Sequence, residues 1–128
     1  MSGFELQSII DTMSEVTIYH NPRCSKSRQT LALIEENGVQ LRVIHYLDTP
    51  PSTTELRSLL QLLGLDARSL LRTKEAPYAE LDLEDATKSE DDILQAISTH
   101  PILLERPIVV RANRAIIGRP PENVLELL

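Results

Sequence analysis

The sequence holds a single cysteine, Cys24, among its 128 residues. That excludes an internal disulfide and any multi-cysteine metal cluster within the chain. A redox cycle at this thiol needs a second thiol from another molecule, which suits a reducing compartment such as the cytoplasm. No apolar run approaches the length of a membrane span. The opening MSGFELQSIIDTM lacks a basic stretch followed by a long apolar core, so no secretory signal and no membrane association are expected. Basic residues are outnumbered, 13 Lys plus Arg against 19 Asp plus Glu, for a net charge of −6. This argues against broad nucleic-acid binding, yet a few arginines can still converge on one local anion. His20, His45 and His100 show no metal-ligand spacing, and no metal site or bound cofactor is expected. Repeats and low-complexity tracts are absent too.

What is present suits one α/β domain. Val16-Thr17-Ile18-Tyr19 is strand-like, rich in β-branched and aromatic residues, and His20-Asn21-Pro22-Arg23 follows as a turn. Leu31, Leu33 and Ile34 favour a helix from Ser25 to Asn37, stopped by Gly38. A second strand is expected over Leu41 to Leu47. Pro50 and Pro51 then break the chain, and Ser52-Thr53-Thr54-Glu55 is a capping-box signature ahead of leucines 56, 59, 60, 62 and 63. Gly64 ends that helix. Short helices are expected over Ala67 to Arg72 and from Ser89 to about Ser98, with no sheet pattern between them. Ile108-Val109-Val110 and Ala115-Ile116-Ile117 predict a hairpin through Arg111 to Arg114. A final apolar helix carries Val124, Leu125, Leu127 and Leu128. The expected organisation is an N-terminal extension over 1–13, then one domain over 14–128 with a helical insertion at about 52–99.

Cys24 falls where the first strand gives way to its helix, the place where active sites of α/β folds collect. Helix-start amides and the helix dipole favour negative charge there, so a thiolate forms readily and an oxyanion can dock. A buried structural cysteine is the competing reading, but the flanks are polar and basic: Arg23, Ser25, Lys26, Ser27 and Arg28. Cys24-Ser25-Lys26-Ser27 has Cys-x-x-Cys spacing with serine at the resolving position. Ser27 can support a thiolate or merely cap the helix. His20 can stabilise the thiolate or serve as a turn residue, and Asn21 can brace the loop. A low-molecular-weight phosphatase loop requires an arginine six positions after its cysteine; that position is Thr30, and Arg28 comes too early. Arg72, Arg106 and Arg119 each sit at an element junction, where a guanidinium fork can be aimed at a polyoxyanion. Pro107 follows Arg106, and residues alone do not give its isomer.

Five separated passages carry a resemblance: IYHNPRCSKSR at 18–28, HYLDTPP at 45–51, LLRTKEAPY at 70–78, HPILLERPIVV at 100–110 and IGRPPENVLELL at 117–128. In this order they resemble the arsenate reductases that use glutathione and glutaredoxin, a family of the thioredoxin-like superfamily, and within it a shorter, less characterised branch. The resemblance implies a thioredoxin-like mixed α/β sheet with a helical insertion and a cytoplasmic enzyme of arsenical resistance. It implies that Cys24 is the nucleophile, that His20 and Ser27 support its thiolate, and that Arg72, Arg106 and Arg119 bind the oxyanion. It further implies that Pro107 is a cis-proline, that glutathione is co-substrate, and that glutaredoxin is the partner that resets the enzyme. Two other functions keep the same fold: a thiol oxidoreductase acting on glutathionylated proteins, and a regulator that binds RNA polymerase without turnover.

Overall fold

A computed structural model describes residues 15–105 and 107–128. The extension expected over 1–13 lies outside the described residues. The chain divides into two compact units, one drawn from residues 15–44 and 107–128, the other His45–Glu105.

In the first unit, β1 (Val16–His20) leads into α1 (Ser25–Glu36) and then β2 (Leu41–His45), whose last residue opens the second unit. The hairpin expected near the C-terminus forms from β3 (Ile108–Arg111) and β4 (Arg114–Ile117). The strands make one mixed sheet in the order β2-β1-β3-β4. β1 pairs antiparallel with β3, Val16 opposite Arg111 and Tyr19 opposite Ile108, and β3 pairs antiparallel with β4. As an inner strand, β1 is buried at four of its five positions, all but Thr17, as a strand covered on both faces should be. Val16, Ile18 and Val109 from the sheet meet Ile34 of α1 and Val124 and Leu127 of the C-terminal segment in one core.

That C-terminal segment, Pro121–Leu127, is wound as a 3-10 helix rather than an α-helix. Its buried residues, Pro121, Val124 and Leu127, are spaced by three. A 3-10 helix stacks residues i and i+3 on one line, so this winding buries all three together and leaves Leu125 to solvent. The guanidinium of Arg111 donates to the Leu127 carbonyl at 2.8 Å, and that of Arg114 to the Glu126 carbonyl at 3.2 Å.

The second unit is helical. α2 (Thr53–Leu63) starts at Ser52, whose hydroxyl accepts the Glu55 amide at 3.1 Å, and stops at Gly64 with φ 68°, a conformation open to glycine at no steric cost. α3 (Ala76–Glu80) was not expected from the sequence, whereas α4 (Glu90–Thr99) was. α4 opens with a complete capping box: Ser89 and Asp92 each accept the other's amide, at 3.1 and 2.9 Å. Its Ile93, Leu94 and Ile97 are buried, as are Leu56, Leu59 and Leu60 of α2, and the two helices pack together. Arg68 forks onto the carbonyls of Leu83 and Asp85, each at 2.7 Å.

One expectation fails in detail here. The short helix from Ala67 is a 3-10 turn that ends at Leu70, and Leu71 is extended. Leu71 forms an antiparallel bridge to Leu104, flanked by Arg72 N–H to Leu103 O at 2.8 Å and Glu105 N–H to Leu70 O at 2.6 Å. These non-local bonds satisfy backbone groups that a further helical turn would have used, and they draw out Leu71 and Arg72.

Candidate active site

The loop between β1 and α1 is closed by its own backbone. The Cys24 amide donates to the Asn21 carbonyl at 3.0 Å, and the Cys24 carbonyl accepts the Arg28 amide at 3.0 Å as the first bond of α1. Cys24 is therefore the N-cap, with extended φ −94° and ψ 123° and a partly exposed side chain. First-turn amides of a helix have no intrahelical acceptor, and the dipole's positive end lies there.

The residues flanking the cysteine form a buried polar brace. His20 Nδ1 and Ser27 Oγ are 2.6 Å apart, and Ser27 Oγ also accepts the Asn21 amide at 3.0 Å. The Asn21 side-chain oxygen in turn accepts the Arg23 amide at 2.9 Å. His20, Asn21 and Ser27 are all buried, which is not how a plain turn histidine or a solvent-facing cap behaves. The brace also limits where protons can go. Ser27 has one hydroxyl proton and already accepts from Asn21. With Nδ1 bare, that proton is spent on the ring; in the tautomer that carries hydrogen on Nδ1, the ring donates to Oγ and the hydroxyl proton is released to a neighbouring acceptor.

Charge around the sulfur is more selective than the sequence suggested. Arg28 turns back to donate to the Pro22 carbonyl at 2.8 Å, so it staples the loop. Among the described residues, a guanidinium reaches the sulfur from the far end of the chain: Arg119 Nη1 lies 3.9 Å from Cys24 Sγ. Its neighbour Gly118 is buried and tightly held. A Cβ there would lie 2.7 Å from Thr30 Oγ1 and 2.8 Å from Pro107 Cγ, closer than packed atoms tolerate. The Gly118 amide donates to the Pro107 carbonyl at 2.9 Å, and Thr30 Oγ1 lies 3.3 Å from the Gly118 carbonyl.

Arg72 belongs to the second unit. Its Nη1 is 3.1 Å from Glu105 Oε1 and its Nε 3.5 Å from Glu75 Oε1, an ion-pair distance without hydrogen-bond geometry. All three side chains are about three-quarters buried, with exposures of 22%, 25% and 29% for Arg72, Glu105 and Glu75. This pair of carboxylates escaped the sequence reading, although Glu75 stands three residues after Arg72. Arg106 lies outside the described residues, and with it the isomer of the Arg106–Pro107 bond; a cis X–Pro bond is present at Arg119–Pro120. Among the described residues no group of three or more His, Cys, Asp or Glu is placed to hold a metal ion, and no helix is long and apolar enough to cross a membrane.

The ArsC family model matches residues 19–127. An arsenate reductase of Neisseria meningitidis (strain MC58) is 49% identical over 117 residues, spanning 91% of this chain and 100% of that protein. The uncharacterized protein YfgD of Escherichia coli K12 is 55% identical over 115 residues, 89% of this chain and 97% of that one. The solved arsenate reductase from Vibrio cholerae is similar with a TM-score of 0.87 and 53% identity, covering 90% of this chain and 98% of that one. The mixed sheet with its helical addition is the thioredoxin-like architecture of these enzymes.

Proposed function

The chain belongs to the ArsC family, and from that premise we propose that it reduces arsenate to arsenite with glutathione as co-substrate and glutaredoxin as the resetting partner. The observation that carries this reading is a lone cysteine at a helix N-cap with the Arg119 guanidinium 3.9 Å from its sulfur. A thiolate there has a nearby cation and helix-start amides to hold an incoming oxyanion.

In this reading the Cys24 thiolate attacks arsenic(V), and water leaves to give a thiol–arsenate adduct. Glutathione then attacks the Cys24 sulfur of that adduct. The S–As bond breaks with its electron pair passing to arsenic, so arsenic(V) becomes arsenic(III) and arsenite departs. What remains is a Cys24–glutathione mixed disulfide, two thiols having supplied the two electrons. The sequence has no second cysteine to perform that step internally, so an external thiol is a chemical requirement. Glutaredoxin, with further glutathione, returns Cys24 to the thiol. Arg119 stabilises negative charge as the adduct forms, and the His20–Ser27 brace supports the thiolate. Arg72 and Arg106 are proposed as further oxyanion ligands on the family resemblance. No metal or organic cofactor has a step in the scheme, and the proposed compartment is the cytoplasm.

The test is arsenate-dependent NADPH oxidation with glutathione, glutaredoxin and glutathione reductase, run beside a thioredoxin and thioredoxin reductase arm. The glutaredoxin arm should turn over and the Cys24→Ser variant should not. Turnover only with thioredoxin would overturn the reductant assignment. No Cys24-dependent turnover in either arm would overturn the reductase reading. It would then direct attention to deglutathionylation or polymerase binding.

A further inference from the structure

Thr30 is a poor residue for its place unless its hydroxyl has a task. It lies in mid-α1, fully buried, on the face that also buries Ser27 and Ile34. A β-branched hydroxyl residue in a helix interior is mildly unfavourable, and a buried apolar position suits valine better. Its Oγ1 donates to the Lys26 carbonyl at 2.8 Å and also faces the Gly118 carbonyl at 3.3 Å. Its Oγ1 and Cγ2 leave no room for a side chain at Gly118, and Pro107 closes the other side. The backbone at 118 is thus seated on α1 one residue before Arg119, whose guanidinium reaches Cys24 at the N-cap of the same helix. Position six after the cysteine is where a cysteine phosphatase carries its own arginine. Here that position holds a threonine that docks the strand end from which an arginine arrives.

We propose that Thr30 is a positioning residue: it seats the Gly118 backbone against α1 and thereby sets the Arg119 guanidinium over the Cys24 sulfur. This rests on the reading of Cys24 as a reactive thiolate with Arg119 as its cation. Thr30 itself touches neither sulfur nor substrate; it acts through Gly118.

The test reads the thiol directly, with no need for arsenate. The pH dependence of Cys24 alkylation by iodoacetamide gives its ionisation in the wild type and in Arg119→Gln, Thr30→Val, Thr30→Ser, Gly118→Ala and the double variant Thr30→Val/Arg119→Gln. Loss of a unit charge about 4 Å away raises a thiol pKa by about one to three units, from the fully solvated limit to a protein surface. Arg119→Gln should show that rise, Thr30→Val roughly half of it or more, and the double variant no more than Arg119→Gln alone, because both remove one interaction. Thr30→Ser, which keeps the hydroxyl, should restore wild-type ionisation. Gly118→Ala should raise the pKa with the Thr30 hydroxyl intact, which keeps the proposal testable if Thr30→Val folds poorly. A lower melting temperature in Thr30→Val with unchanged ionisation would overturn the proposal, as would additive shifts in the double variant or no shift in Arg119→Gln. Arsenate turnover measured alongside separates the two claims: its absence from the wild type sinks the reductase reading, while the thiol titration still decides Thr30.

Discussion

Ser27→Ala removes one oxygen from the brace that flanks Cys24 and should cost far more than an ordinary serine substitution. Ser27 is 0% exposed, and its Oγ sits 2.6 Å from His20 Nδ1 and 3.0 Å from the Asn21 amide. The His20 bond contributes about 1 kcal/mol net, and the buried Asn21 amide that loses its acceptor costs about 1–3 kcal/mol. The expected loss is about 2–4 kcal/mol, a large share of a typical domain's stability of about 5–15 kcal/mol. For a chain of this size that corresponds to a melting temperature lower by about 8–15 °C. Calorimetric melts and urea titrations measure it, with Ser25→Ala as reference. Ser25 is exposed on the same first turn, and its variant should stay within about 0.5 kcal/mol of wild type. A double cycle with His20→Ala should return a coupling of about 1 kcal/mol or more. If Ser27→Ala matches Ser25→Ala, or the cycle shows no coupling, the brace contributes nothing and the buried-network argument is wrong.

Three further outcomes follow from the geometry. Ala112, at the hairpin tip, has φ 54°, which suits glycine. Ala112→Gly should raise stability by about 0.5–1 kcal/mol in urea titrations, where an alanine content without strain would show a small loss. Asp66, Asp85 and Asp92 are held below the usual carboxylate range by hydrogen bonds from Ser69, Thr87 and Ser89 respectively, with nearby Arg68 or Lys88 assisting. A lowered folded-state pKa means stability that is complete above the unfolded value, about 3.9, and is lost as pH falls through the folded one. Replacing all three with asparagine should flatten the stability profile below about pH 4, as seen in urea midpoints across pH; an unchanged slope would contradict those hydrogen bonds. Arg72→Met should raise the arsenate KM about tenfold, equal to about 1.4 kcal/mol of binding, and leave the alkylation pH profile of Cys24 unchanged. An unchanged KM would remove Arg72 from the proposed oxyanion ligands.

Elements with strong local signals were legible in the sequence. β1, α1 and the hairpin strands follow from β-branched runs, helical spacing and terminal glycines. α4 follows from serine and three acidic residues ahead of an apolar stripe. Winding at the C-terminus was less legible, because apolar positions 121, 124, 127 and 124, 125, 127, 128 overlap. The first set suits three residues per turn, the second an α-helix. The Leu71–Leu104 bridge joins segments 33 residues apart and is too short to print an alternating pattern. At the site, Cys24 was marked by its place and its flanks, but proximity in sequence misled about charge: adjacent Arg28 is spent on a carbonyl, and distant Arg119 meets the sulfur. Glu75 and Glu105 around Arg72 were missed because carboxylates that converge in space need no fixed spacing. Thr30 had a readable sign, a threonine at i+3 from Ser27 and i−4 from Ile34 on the buried stripe of α1.

A single-turnover experiment bears most directly on the central claim that Cys24 and one external thiol supply the two electrons. Reduced protein is mixed with arsenate and glutathione, without glutaredoxin, then quenched for mass spectrometry and arsenic speciation. The account predicts one arsenite per protein and a mass increase of one glutathione located on Cys24, with both absent in Cys24→Ser. Arsenite formed while Cys24 stays unmodified, or glutathione on Cys24 at the same level without arsenate, would contradict it.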